Sequence, residues 1–104
     1  MPKYYNKLIR DKIPQIIAAQ GKTCETEVLT QEAYLEKLDE KLFEELKEYE
    51  ESNSLEELAD LLEVMEAVVL ARGYTWDQLL AVRDEKRQAR GGFQDRLLLK
   101  SVTE

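Results

Sequence analysis

Apolar residues recur at three- and four-residue steps along most of this chain, the period of helices that each bury one face. Leu35, Leu38, Leu42, Leu46 and Tyr49 keep that step, and Leu58, Leu61, Leu62, Met65, Val68 and Val69 resume it after a polar break at "SNS". Thr30 has an N-capping side chain, so the first long helix is expected from there to about Glu51. Ser54 followed by Glu57 is the S-x-x-E pattern of a capping box, opening a second helix that stops near Gly73. Thr75 with Gln78 repeats the pattern and opens a third, from Trp76 to about Arg90, closed by Gly91 and Gly92. Ahead of these, "NKLIRDKIPQIIAAQGK" reads as a short helix, with Pro14 in its first turn and Gly21 at its end. Two stretches leave the helical period. "TCETEVLT", Thr23 to Leu29 for the strand itself, is β-branched and weakly alternating, and "RLLLKSV" near the end is similar; both read as short strands that could pair. The expected fold is mainly α, a helical bundle with a small two-stranded β element where those segments meet.

At 104 residues the chain is one domain, 1–104, with a modest core of its own. Charged residues make up 36%, so much of the chain must be helix surface, and some apolar faces are left for a partner subunit. A net charge of −7 argues against nucleic-acid or anionic-membrane binding, because no broad phosphate-neutralising surface exists. There is no histidine. That removes imidazole bases and His-ligated zinc, leaving carboxylates, Lys, Tyr and metal-bound water for any chemistry. Cys24 is the single cysteine, expected as a small buried side chain rather than a nucleophile. No apolar run has signal-peptide or transmembrane length, so a cytoplasmic location is the expectation.

Candidate chemistry concentrates in "FEELKEYEESNSLEELADLLE", residues 43–63. Glu45 and Glu48 are three apart, Glu44 and Glu48 four apart, and Glu57 and Asp60 three apart, so each long helix presents a carboxylate pair on one face. The short break turns the helices into antiparallel neighbours. Two facing pairs make a ring of oxygens suited to a hard cation such as Mg²⁺. On a helical wheel Glu45 lies beside the arc of Leu38, Leu42 and Tyr49. Glu57 falls almost within the stripe of Leu61, Val64 and Val68, and Asp60 flanks it in line with Ala67 and Ala71. Carboxylates at the edge of a buried stripe repel one another and lose solvation unless a cation or base compensates. The competing reading is a solvated acidic face, with Glu57 serving the capping box and Glu44 paired to Lys41 or Lys47.

E-E-x-x-E followed by E-x-x-D across adjacent helices resembles the signature of the all-α nucleoside triphosphate pyrophosphohydrolases, the MazG-like and phosphoribosyl-ATP pyrophosphohydrolase-like enzymes. "YNKLIRDKIPQII" near the start and "KRQARGGFQDRLLL" near the end are similar to a small house-cleaning branch of that superfamily, so the likeness spans nearly the whole chain. The gap between Glu48 and Glu57 is shorter than in typical MazG enzymes, which implies a tight turn and leaves open any substrate contact a longer connection would make.

The resemblance implies a Mg²⁺-dependent hydrolase, with Mn²⁺ as a substitute, cleaving a nucleoside triphosphate, standard or not, to monophosphate and pyrophosphate. Glu45, Glu48, Glu57 and Asp60 would bind metal. Glu44 would be a ligand, a supporting group or the base that orients water, so Glu44 and Glu45 are the candidate catalytic pair. Phosphate would be met by Lys86 and Arg90, four apart on one helical face, and by Lys7 and Arg10 of "NKLIRDK". Lys86 and Arg90 could equally complement a helix C-terminus, and Lys7 and Arg10 could form surface salt bridges. Trp76 and Tyr74 could stack on a base, though at a helix start they more often staple into the core. Members of the family pack their helices into bundles across a subunit interface, so a homodimer or higher homo-oligomer is expected. The alternatives are the histidine-pathway enzyme acting on phosphoribosyl-ATP, a metal-binding relative without activity, and a non-enzymatic helical module whose acidic face binds basic partners.

Overall fold

Capping side chains set the helix boundaries. The computed structural model describes residues 1–104. Four helices follow one another: α1 (Ile13–Ala19), α2 (Gln31–Ser52), α3 (Leu55–Ala71) and α4 (Trp76–Arg90). Pro14 sits in the first turn of α1, where its missing N–H is harmless. The Ala33 N–H donates to Thr30 Oγ1 at 3.2 Å and opens α2. At α4 the box is complete: the Gln78 N–H donates to Thr75 Oγ1 at 3.1 Å, and the Thr75 N–H donates to Gln78 Oε1 at 2.8 Å.

The box expected at α3 forms only by half. The Glu57 N–H donates to Ser54 Oγ at 3.3 Å, but the Ser54 N–H donates to Ser52 Oγ, also at 3.3 Å. Ser52 thus takes the place of the Glu57 carboxylate, which is freed to point elsewhere. Between the helices Asn53 adopts the left-handed conformation, φ 55°, which Asn tolerates better than most residues. Its N–H donates to the Tyr49 carbonyl at 2.7 Å and closes α2. So short a link makes α2 and α3 an antiparallel hairpin.

The core lies in the seam of that hairpin. Leu38 and Val64 are its buried apolar side chains, 4% and 9% exposed, and Leu35, Leu42, Leu61 and Val68 are half-buried on the same two stripes. Leu46, expected on this face, lies outside it at 42% exposed. Leu58, Leu62, Met65 and Phe43 are likewise exposed and form a second, outer apolar face. The reason is width. The apolar arc on α3 is wider than one neighbouring helix can cover. α4 packs against α3 alone, and α1 comes within packing distance of no other helix. The radius of gyration is 18.5 Å over a longest dimension of 63 Å, against about 13 Å for a compact chain of this length.

The strands expected at 23–29 and in "RLLLKSV" do not form in the single chain. Both segments lack regular structure, and no backbone hydrogen bond joins them to each other; the one backbone bond they make is a local turn, from the Arg96 N–H to the Phe93 carbonyl at 3.2 Å. An isolated strand leaves its N–H and C=O groups to water and gains nothing without a partner edge. Cys24, expected to be buried, is exposed with the segment that carries it. No helix is long and apolar enough to cross a membrane.

Leu38→Ala should lower unfolding stability by about 2–5 kcal/mol in urea titration, and Leu46→Ala by well under half of that, because Leu46 fills no enclosed space within the chain.

Candidate metal centre

A single-residue step, about 100° around a helix, decides which carboxylates meet. Glu45 belongs to the inner flank of α2 and is 8% exposed, the one charged residue of the chain that is buried. Glu57 and Asp60, one turn apart on α3, face it across the seam and are half-buried. One oxygen from each of Glu45, Glu57 and Asp60 lies within 4.8 Å of the others. The three carboxylates are therefore close enough to be drawn onto one cation by side-chain adjustment. An oxygen-only donor set without His or Cys suits Mg²⁺, Mn²⁺ or Ca²⁺ rather than zinc.

The three are answered unequally by cations. Lys41 Nζ lies 3.4 Å from Glu45 Oε1, and the Arg10 guanidinium bonds Asp60 Oδ1. Glu57 has no cation, and its Oε2 is shut off from solvent without any hydrogen-bond partner. Loss of solvent around that carboxylate, then the negative charges of Glu48, Asp60, Glu45 and Glu56, hold the Glu57 pKa above its ordinary value. A position in the first turn of a helix would by itself favour the ionised form. Loss of solvent, together with the neighbouring carboxylates, outweighs that here.

Glu44, adjacent in sequence, is not one of the three. It accepts from Lys7 Nζ at 3.0 Å and from Lys41 Nζ at 3.3 and 3.4 Å. Partial burial pushes the Glu44 carboxyl up, but these two lysines together prevail and hold it below the usual carboxylate range. Lys7 is raised in turn, first by its hydrogen bond to Glu44 and then by that residue's charge. Lys41 is the group that the acidic motif does not flag. Its spacing of three and four residues from Glu44 and Glu45 is the one sequence signal for it, and it bridges both.

The other expected site residues divide. Glu48 is exposed and stays outside the group of three, near enough to act on Glu57 and Lys7 through its charge. Lys7 and Arg10 do reach the acidic cluster, from an irregular segment far away in sequence. Lys86 and Arg90 do not. They line a shallow depression on α4 with Val82, Glu85 and Ala89, and α4 has no contact with α2. Trp76 is half-buried at the start of α4, as a staple would be, whereas Tyr74 is 61% exposed. Family models, curated proteins and solved structures give no match to the chain. The carboxylate geometry and the resemblance of the motifs are the grounds for a functional reading.

Glu57 and Glu44 should affect stability with opposite signs. Glu57 holds its proton more tightly when folded, so its charge opposes folding fully above the raised pKa, and the effect vanishes below the ordinary value of 4.5. Glu44 favours folding above that value and loses its contribution as pH falls through its lowered pKa. Glu57→Gln should therefore raise Tm at neutral pH, with the difference from wild type closing by about pH 4. Glu44→Gln should lower Tm at neutral pH, with its difference closing only in more acid solution. Paired thermal melts across pH read both.

Proposed function

We propose that the chain is a divalent-cation-dependent nucleotide pyrophosphohydrolase, which with one water converts a nucleoside triphosphate to the monophosphate and pyrophosphate. The observation that carries this reading is the solvent-excluded, unpartnered oxygen of Glu57, a carboxylate that converges with Glu45 and Asp60 in a helical seam. A solvated acidic face has no reason to bury a carboxylate and leave it without a cation. The resemblance of the acidic motif and of both terminal segments to the all-α pyrophosphohydrolases supplies the substrate class.

Glu45, Glu57 and Asp60 would hold Mg²⁺ or Mn²⁺, with Glu48 as a further ligand from the exposed end of the same face. The bound ion would neutralise phosphate charge and acidify the attacking water, so that chemistry without histidine is feasible. The chain's own residues do the rest. The hairpin fixes the carboxylates on two rigid helices, and Lys41 holds Glu45 and Glu44 in place. Lys7 and Arg10 offer cations to phosphate oxygens at the rim. Glu44, bound by two lysines, is a poor proton acceptor. Its role is to position Lys7 and Lys41 rather than to serve as the catalytic base.

Lys86 and Arg90 reach phosphate only if a second copy brings them there. A homodimer, or a higher homo-oligomer, covers the outer apolar face of Phe43, Leu58, Leu62 and Met65, which this chain leaves exposed. A pair of such hairpins makes the four-helix arrangement in which metal-binding carboxylates commonly face the bundle interior. The uncovered segments at 23–29 and 96–102 are then free to find strand partners in the assembly.

Pyrophosphate release from a panel of common and modified nucleoside triphosphates should require Mg²⁺ or Mn²⁺ and should fall at least about a hundredfold in kcat/KM for Asp60→Asn. Release that is indifferent to the metal, or to this substitution, would sink the proposal. Phosphoribosyl-ATP as the one substrate turned over would shift it to the histidine-pathway reaction. Metal binding without turnover of any substrate would leave a binding protein.

In size-exclusion chromatography with light scattering at micromolar concentration, the chain should run as a dimer or larger, and Leu62→Glu should shift it toward monomer. A wild-type monomer would remove the second copy from the site.

A further inference from the structure

Residues 1–12 form no regular element, and nearly all of their side chains are exposed, with Leu8 alone half-buried. What ties this segment to the α2–α3 hairpin is charge. Lys7 pairs with Glu44, Arg10 pairs with Asp60, and Lys37 Nζ donates to the Asn6 carbonyl at 3.5 Å. Asn6 itself bends the chain, in the left-handed conformation at φ 48°. The helix that follows, α1, is packed on none of the others, so no helix contact anchors the segment from its far side.

Asp60 is at once the partner of Arg10 and one of the three convergent carboxylates. An Asp60 oxygen bonded to a guanidinium is a weaker donor to a metal ion, and a dication in the seam would repel a guanidinium at hydrogen-bond range of the same carboxylate. Both ion pairs are half-exposed, with Lys7 44% and Arg10 56% exposed in their side chains. Such pairs are weak enough to open when a better cation arrives.

We propose that residues 1–12 are a cation-bearing strap that closes over the carboxylate cluster through Lys7 and Arg10, that a divalent ion displaces it, and that the released cations then close on the phosphates of the substrate. This rests on the metal reading of Glu45, Glu57 and Asp60. The strap and the ion compete for Asp60, while the strap and the nucleotide reinforce each other, because a triphosphate offers Lys7 and Arg10 new acidic partners. The same two side chains are thus a brake on metal loading and a clamp on the loaded site. The closed strap also keeps the cluster from carrying its full charge when no ion is bound.

Isothermal titration of Mn²⁺ alone into wild type, Arg10→Gln and Arg10→Lys tests the competition, and limited trypsin digestion with and without Mn²⁺ tests the release. Arg10→Gln should bind Mn²⁺ about threefold to tenfold more tightly than wild type, and Arg10→Lys, which keeps the charge, should bind much as wild type does. Cleavage after Lys7 in the wild-type chain should accelerate on adding Mn²⁺. Equal or weaker binding by Arg10→Gln, or cleavage that does not respond to the ion, overturns the strap and leaves the metal site standing. Failure of every variant to bind Mn²⁺ overturns both.

Discussion

A carboxylate set in the seam between two packed helices must be answered by a cation or carry a raised pKa, and the α2–α3 seam holds three of them. The same seam contains Leu38 and Val64, the whole of the buried apolar core. Core and cluster therefore depend on one helix–helix contact, set by the tight turn at Asn53. Were the turn longer, the stripes could still pack in other registers. With α3 starting two residues after Asn53, Glu45 is committed to face Glu57 and Asp60.

The energetic character of the cluster follows from its unequal neutralisation. Lys41, Lys7 and Arg10 attend to Glu44, Glu45 and Asp60, while Glu57 is left crowded by four carboxylates. Natural proteins accept such local conflict mainly where it serves a ligand, and stability and function then pull against each other at one residue. On the proposed reading, Glu57 is that residue. Its neighbour in sequence, Glu56, shares the first turn of α3 without sharing the seam, which shows how finely the helical period separates an ordinary acidic residue from a strained one.

The helices were legible from sequence because their signals are local. Thr30, Ser54 and Thr75 cap where their side chains predict, and the apolar period supplies the length in between. Glu45, Glu57 and Asp60 were legible for a related reason: helical spacing plus a short turn determines which residues can meet. Where the single chain departs from the local reading, distant or competing partners are involved. Ser52 displaced Glu57 from the capping box, a contest between two neighbouring side chains that the S-x-x-E pattern does not weigh. Leu46 and Leu58 carry the right period but belong to a face that the chain itself does not cover. The strand segments need an edge that local sequence cannot supply. Arg10 on Asp60 joins positions fifty residues apart, and nothing in the spacing of either announces the pair.

Ser52 has a consequence for how the site comes into being. All three convergent carboxylates belong to one helical hairpin, so closing a single short loop gathers them, and loops of about that length close on the order of tens of nanoseconds. The turn that does so is stitched by Ser52 and Asn53 with no help from the carboxylates it brings together. Assembly of the cluster is thereby separated from its chemistry: the acidic positions can change while the loop still closes, which leaves their side chains room to vary without loss of the fold.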